Sequence, residues 1–97
     1  MEKLGLLATL KAKPGKEQDV AAFIKDAVSL ANEEEKTIKW YSFKIDDNTF
    51  GIFDTFGDEE GREAHLKGEI AKKLMENADT LLLEKPKIQK IHILSSK

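Results

Sequence analysis

The sequence predicts an α+β domain with a ferredoxin-like β-α-β-β-α-β order and a four-stranded antiparallel sheet. Four short segments alternate in polarity or are rich in β-branched and aromatic residues, as strands are. Two longer segments repeat apolar residues with the period of a helix, one after the first strand and one after a hairpin. The chain of 97 residues is expected to be one such domain over residues 1–97.

The first strand and the first helix are predicted before residue 33. Residues 4–12 carry apolar side chains on both faces of a strand, so something besides the helices is expected to cover the sheet. Pro14-Gly15 interrupts this pattern. From residue 16 to about residue 32 the chain reads as one helix, whose single apolar stripe is Val20, Phe23, Ile24, Ala27, Val28 and Ala31.

The middle of the chain predicts a hairpin. Residues 37–45 form one strand, the polar turn 46–48 follows, and residues 49–56 form the next strand. Alternation of side chains along the second of these strands assigns four residues to one face: Phe50, Ile52, Asp54 and Phe56.

The last third predicts a helix and a final strand. Asp58 is suited to cap a helix that runs to about residue 67, loosens at Gly68 and resumes through residue 82. Lys85-Pro86 ends it, and residues 87–94 alternate as the last strand.

The composition excludes several classes of function. Basic and acidic residues number 16 and 18 and are interleaved, which gives no electrostatic reason to expect nucleic acid or membrane partners. Cysteine is absent, and a cytoplasmic location is expected. The two histidines show no metal-ligand spacing, and there is no Gly-rich phosphate loop, so neither a metal nor a cofactor is expected.

One face of the predicted sheet is too apolar for water. It would carry Leu7, Thr9, Tyr41, Phe43, Ile45 and Phe53. Apolar patches of this size usually mark contacts, so we expect a homodimer in which two sheets pack face to face. Each protomer would keep a small dry chamber under its helices.

Three stretches of the chain carry a resemblance to the antibiotic biosynthesis monooxygenase family, and this resemblance extends over nearly the whole chain. They are KAKPGKEQDVAAF, FGIFDTFGDEEGREAHL and PKIQKIHIL. The resemblance implies a dimeric α+β barrel of ferredoxin-like protomers. Some members of the family oxidise quinol-like aromatic substrates without a cofactor, others degrade haem, and many have no assigned activity.

The resemblance also implies a site. Asp54, Phe56 and His65 match a family pattern of an acidic residue near a strand end, an aromatic residue two positions later, and a helical histidine. Haem-degrading members have an asparagine on the first strand and a tryptophan where this chain has Phe56, so the resemblance does not imply haem degradation here.

Two hypotheses follow for these residues. In the enzymatic one, His65 is the general base toward a phenolic substrate, Asp54 orients its imidazole, and Trp40, Phe50 and Phe56 bind the aromatic ring. In the other, His65 is a helix histidine bonded to a backbone carbonyl or to Asp54, and Asp54 forms a salt bridge. The aromatic residues would then only pack the core of a non-catalytic dimer that binds a small molecule or scaffolds a partner. His92 is expected to be exposed.

Overall fold

The computed structural model describes all 97 residues and contains one four-stranded sheet and four helical segments. No helix has the length and apolar character that crossing a membrane requires. The elements are β1 (Leu4–Lys11), α1 (Glu17–Asp26), α2 (Val28–Ala31), β2 (Thr37–Asp46), β3 (Thr49–Phe56), α3 (Glu59–Leu66), α4 (Glu69–Leu81) and β4 (Lys87–His92).

The strands lie in the order β2-β3-β1-β4, and all three pairings are antiparallel. The predicted β-α-β-β-α-β order and its ferredoxin-like sheet are therefore confirmed. The second helical region also follows the prediction. Asp58 caps α3 by accepting a hydrogen bond from the Gly61 N–H at 2.8 Å. The helix is interrupted after Leu66, and α4 begins directly after Gly68.

The first helical region differs from the prediction, because it breaks at Ala27 into α1 and the single turn α2. The Ser29 hydroxyl donates to the Asp26 carbonyl at 3.1 Å. This side-chain bond competes with the backbone bond that the carbonyl would accept in a continuous helix. The Leu30 N–H bonds back three residues to Ala27. This tighter turn leaves Val28 exposed, although the apolar stripe had placed it on the buried side.

The main core lies between the sheet and the helices α1 and α4. Its nine buried members are Leu10, Ala12, Val20, Ile24, Phe50, Ile52, Leu74, Ala78 and Leu82. A smaller cluster joins α2 to α4 through Ala27, Ala31 and Ile70, and Trp40 packs against both clusters.

The opposite face of the sheet has no helix on it, and we call it the open sheet face. The strand registers assign Leu7, Tyr41, Phe43 and Phe53 to it. The ring of Phe43 lies where a Cβ on Gly51 would stand, and the ring of Phe53 would be 3.0 Å from a Cβ on Gly5. Glycine at these two positions therefore lets the aromatic rings lie flat across the strands.

Candidate functional site

His65 lies on α3 with only 8% of its surface exposed, and it borders two spaces of different size. One is an open groove of about 420 Å³ between α3 and the 32–36 segment that joins α2 to β2. The other is a chamber of about 30 Å³ between the helices and the sheet, lined mainly by apolar side chains. The groove has the volume of a small-molecule site, which is roughly 300–1,000 Å³. The chamber of about 30 Å³ lies far below this range.

Both nitrogens of the imidazole are bonded to carboxylates. His65 Nε2 lies 2.8 Å from Asp54 Oδ2, and His65 Nδ1 lies 2.6 Å from Glu34 Oε1. Asp54 projects from β3 on the chamber side, while Glu34 belongs to the 32–36 segment and lines the groove. The Asp54–His65–Glu34 triad therefore crosses the wall between the two spaces.

Neighbouring side chains fix this triad in place. The Phe56 ring, two residues after Asp54 on the same face of β3, has its centroid 5.4 Å from that of His65 and is tilted 46° to it. The Thr37 hydroxyl at the start of β2 donates to Glu34 Oε1 at 2.6 Å. Asp54 is 1% exposed, and its second oxygen, Oδ1, has no hydrogen-bond partner in the protein.

The electrostatics of the triad favour a charged imidazole. Burial disfavours the cation, but the hydrogen bonds to Asp54 and Glu34 outweigh burial and raise the pKa of His65 to about 9. The ordinary value of 6.5 therefore does not hold in the folded chain. Burial raises the pKa of Asp54, although His65 acts in the opposite sense, and the pKa of Glu34 is lowered, because its bonds to His65 and Thr37 outweigh its burial.

Two glycines, Gly61 on α3 and Gly68 before α4, lie next to the groove. A Cβ on Gly61 would stand 3.1 Å from the Cβ of Lys36, and a Cβ on Gly68 would stand 3.2 Å from Glu34 Oε2. The glycines therefore allow the helix to approach the 32–36 segment closely. Most other groove residues are polar, and its only apolar side chains are Leu30 and Ala64.

The structure brings together some of the residues predicted for the site and separates others. Asp54, Phe56 and His65 meet, as the resemblance implies. Trp40 is the cross-strand partner of Asp54 and packs under α2, but it lines neither the groove nor the chamber. Phe50 is buried in the main core, four residues from Asp54 along β3 or roughly 13 Å at the usual strand rise. The predicted roles of Trp40, Phe50 and Phe56 in binding an aromatic ring stay predictions.

Two polar residues of this region were not foreseen from the sequence. Glu34 belongs to an acidic run that reads as a solvated helix exit, and no spacing distinguishes it from its neighbours. Arg62 is 3% exposed and donates to the carbonyls of Gly5 and Ile91 and to Glu59.

His92 is exposed, as expected. No group of three or more His, Cys, Asp or Glu side chains has a geometry that could hold a metal ion.

The fold is that of the antibiotic biosynthesis monooxygenases. A solved structure named antibiotic biosynthesis monooxygenase superposes with a TM-score of 0.80 at 15% identity, covering 95% of this chain and 99% of that one. A protein from Pseudomonas aeruginosa superposes with a TM-score of 0.83 at 21% identity, covering 98% and 97%. The resemblance stated from the sequence is thus confirmed at the level of the fold.

A nearer relative defines the family. A protein of unknown function from Nitrosomonas europaea is 49% identical to this chain and superposes with a TM-score of 0.98. The match covers 100% of this chain and 94% of that protein. This chain therefore belongs to the same family as the Nitrosomonas europaea protein. No protein-family model matches the chain, and no curated protein matches it either.

Proposed function

We propose that the protein is a cofactor-independent monooxygenase that oxidises a small quinol-like aromatic substrate with dioxygen. The observation that carries the proposal is the Asp54–His65–Glu34 triad, buried at the wall of a groove of about 420 Å³ in a monooxygenase-like fold. A buried, strongly perturbed titratable group beside a cleft of ligand size is a feature of functional sites.

The chemistry needs no redox group from the protein, because an electron-rich phenolate reduces dioxygen directly. In the proposed reaction the substrate hydroxyl loses its proton and a ring C–H bond is replaced by a C=O bond. The O–O bond breaks, one oxygen atom enters the ring, and the other leaves as water. The phenol is oxidised by four electrons to a quinone, and dioxygen is reduced by the same four electrons.

His65 is the base in this proposal, with Asp54 as the residue that orients it. A phenol has a pKa near 10, and the pKa of His65 is raised to about 9 while both carboxylates are bonded to it, so in this state the two groups have similar affinities for the proton. Only about a hundredth of the molecules carry a neutral ring at pH 7, so oxidation should accelerate as the pH rises toward 9.

Oxygen uptake with a panel of dihydroxyarenes tests this function. The wild type should consume oxygen with at least one substrate, and His65→Gln should lose at least tenfold in rate. His92→Gln, which changes the exposed histidine, is the matched control and should keep the wild-type rate. Equal rates in the wild type and His65→Gln would remove His65 from the mechanism.

A second candidate function is binding of a small molecule without catalysis. The occupation of both His65 nitrogens favours it, because a fully bonded imidazole has no lone pair to offer a substrate. Calorimetry with the same arenes would then detect binding, while oxygen uptake stays at the background rate at every pH tested.

We also propose that two copies of the chain pair through the open sheet face. Support comes from the aromatic rings on this face and from the exposure of Tyr41, which reaches 52% without a partner. Tyr41→Glu should shift a sedimenting dimer to the monomer. Met75→Glu, on α4 at 51% exposure, should leave it a dimer. A wild-type chain that sediments as a monomer at high concentration would exclude this pairing.

A further inference from the structure

The two sides of the His65 ring offer very different access to a ligand. Nε2 faces Asp54 and the chamber of about 30 Å³, which has no room for an aromatic ring. Nδ1 faces Glu34 and the groove, whose volume is that of a small-molecule site. A substrate ring can therefore approach His65 only on the Nδ1 side.

Glu34 stands in that position, and it is held less firmly than Asp54. Its side chain is 20% exposed against 2% for Asp54. Asp54 belongs to β3, an inner strand that is paired on both sides, whereas Glu34 lies in the 32–36 segment outside any helix or strand. The bond on the groove side is thus the one that can open without disturbing the sheet.

Gly68 leaves space for this movement. A Cβ at position 68 would stand only 3.2 Å from Glu34 Oε2, so the carboxylate would have to shift by a few tenths of an ångström to make room for it. The glycine keeps that side of the carboxylate clear, and the groove beyond it is open to solvent.

We propose that the Glu34 carboxylate occupies the position at His65 Nδ1 that the hydroxyl of a phenolic substrate takes in the complex. Glu34 is then a positioning residue, and a substrate must displace it in order to bind. The substrate class rests on the proposed function. When the hydroxyl replaces Glu34, its O–H bond breaks, the proton joins Nδ1 of the neutral ring, and the electron pair remains on the substrate oxygen.

Binding of hydroquinone without oxygen tests the proposal apart from catalysis. Calorimetry on Glu34→Ala should show an affinity for hydroquinone at least fivefold higher than in the wild type. The affinity for 1,4-dimethoxybenzene, which has the same ring but no hydroxyl hydrogen, should change by less than twofold. Glu76→Ala removes an exposed carboxylate on α4 that does not line the groove, and it should leave both affinities unchanged.

A second variant covers the case in which Glu34→Ala does not fold. Glu34→Gln keeps the shape of the side chain and an oxygen that can accept from Nδ1, but it loses the charge that holds the bond. Its affinity for hydroquinone should rise about twofold to fivefold. A loss of affinity or no change in the variant that folds would overturn the proposal, as would an equal gain for dimethoxybenzene, since that gain would reflect added space alone.

Oxygen uptake separates this result from that of the proposed function. If hydroquinone binds more tightly to Glu34→Ala but no variant consumes oxygen, the displacement holds and the monooxygenase proposal fails. If the wild type consumes oxygen but substitution of Glu34 leaves the affinities unchanged, the monooxygenase proposal holds and the displacement proposal fails.

Discussion

The chamber side and the groove side of His65 hold the same imidazole with the same kind of group, but in different ways. On the chamber side, Asp54 comes from a central strand and is almost completely buried. On the groove side, Glu34 comes from the 32–36 segment and is partly exposed, with the Thr37 hydroxyl as a second partner. One bond is therefore part of the core, and the other lies where the core meets solvent.

This difference teaches how a small domain can hold a charge inside. A buried cation without partners is strongly disfavoured, and here two carboxylates stabilise the charged ring. Because only one of them is fixed in the sheet, the ring can stay oriented while its other side changes partners. The predictions below test whether the two sides are as unequal in energy as they are in burial.

The largest effect is expected on the chamber side. Asp54→Asn keeps the shape but removes the charge beside a buried imidazolium, and should reduce the free energy of unfolding at pH 7 by about 3–5 kcal/mol. Urea unfolding measures this loss. Asp47→Asn, at an exposed turn, is the control and should change stability by less than about 0.5 kcal/mol. A loss below about 1 kcal/mol for Asp54→Asn would show that the pair is not a core interaction.

The stability of the wild type should depend on pH in the alkaline range. The folded-state pKa of His65 is raised from 6.5 to about 9, so its contribution is fully present below pH 6.5 and is lost as the pH rises through 9. The total loss should be at most about 3 kcal/mol. Urea unfolding at pH 6, 7.5 and 9.5 measures it, and His65→Gln should remove this dependence. An identical decline in the variant would assign it to other groups.

A smaller effect is expected on the groove side. Glu34→Gln should reduce the free energy of unfolding at pH 7 by about 1.5 kcal/mol, because the lost charge was partly exposed and the amide can still accept the Nδ1–H. Because the pKa of Glu34 is lowered, the wild-type advantage should be present above pH 4.5 and vanish as the pH falls through the lowered value. Unfolding at pH 7 and pH 3 tests both statements. A loss of unfolding free energy as large as that of Asp54→Asn would show that the two carboxylates stabilise the fold equally.

The smallest effect concerns the partner of Glu34. Thr37→Val removes the hydroxyl that donates to Glu34 Oε1 and keeps the volume, so it should cost about 0.5–1 kcal/mol. Thermal unfolding compares it with Thr37→Ser, which keeps the hydroxyl. Should the serine variant lose more than the valine variant, packing rather than the hydrogen bond would be the role of Thr37.

Much of the fold could be predicted because its signals are local. The alternation along β3 assigned Phe50, Asp54 and Phe56 to one face, and the strand register places them there. The break at Ala27 was missed because the apolar stripe continues through it, and the competing bond from Ser29 has no signature in the pattern.

The sequence predicted only the site residues that lie on β3 and α3. Asp54 and His65 were candidates because they match the family pattern of an acidic residue near a strand end and a helical histidine. Glu34 could not be identified, since which glutamate of 33–35 turns inward depends on how α2 ends and how α3 packs against the 32–36 segment. That is a tertiary contact between residues 31 positions apart.

A titration of His65 by nuclear magnetic resonance tests the central claim most directly. In the His92→Gln variant only one imidazole remains, so its ring-nitrogen signals are assigned without ambiguity. The triad predicts that both nitrogens carry protons at pH 7 and that the midpoint lies near 9. A neutral ring at pH 7 with a midpoint at or below 6.5 would contradict the charged triad and the roles assigned to its two carboxylates.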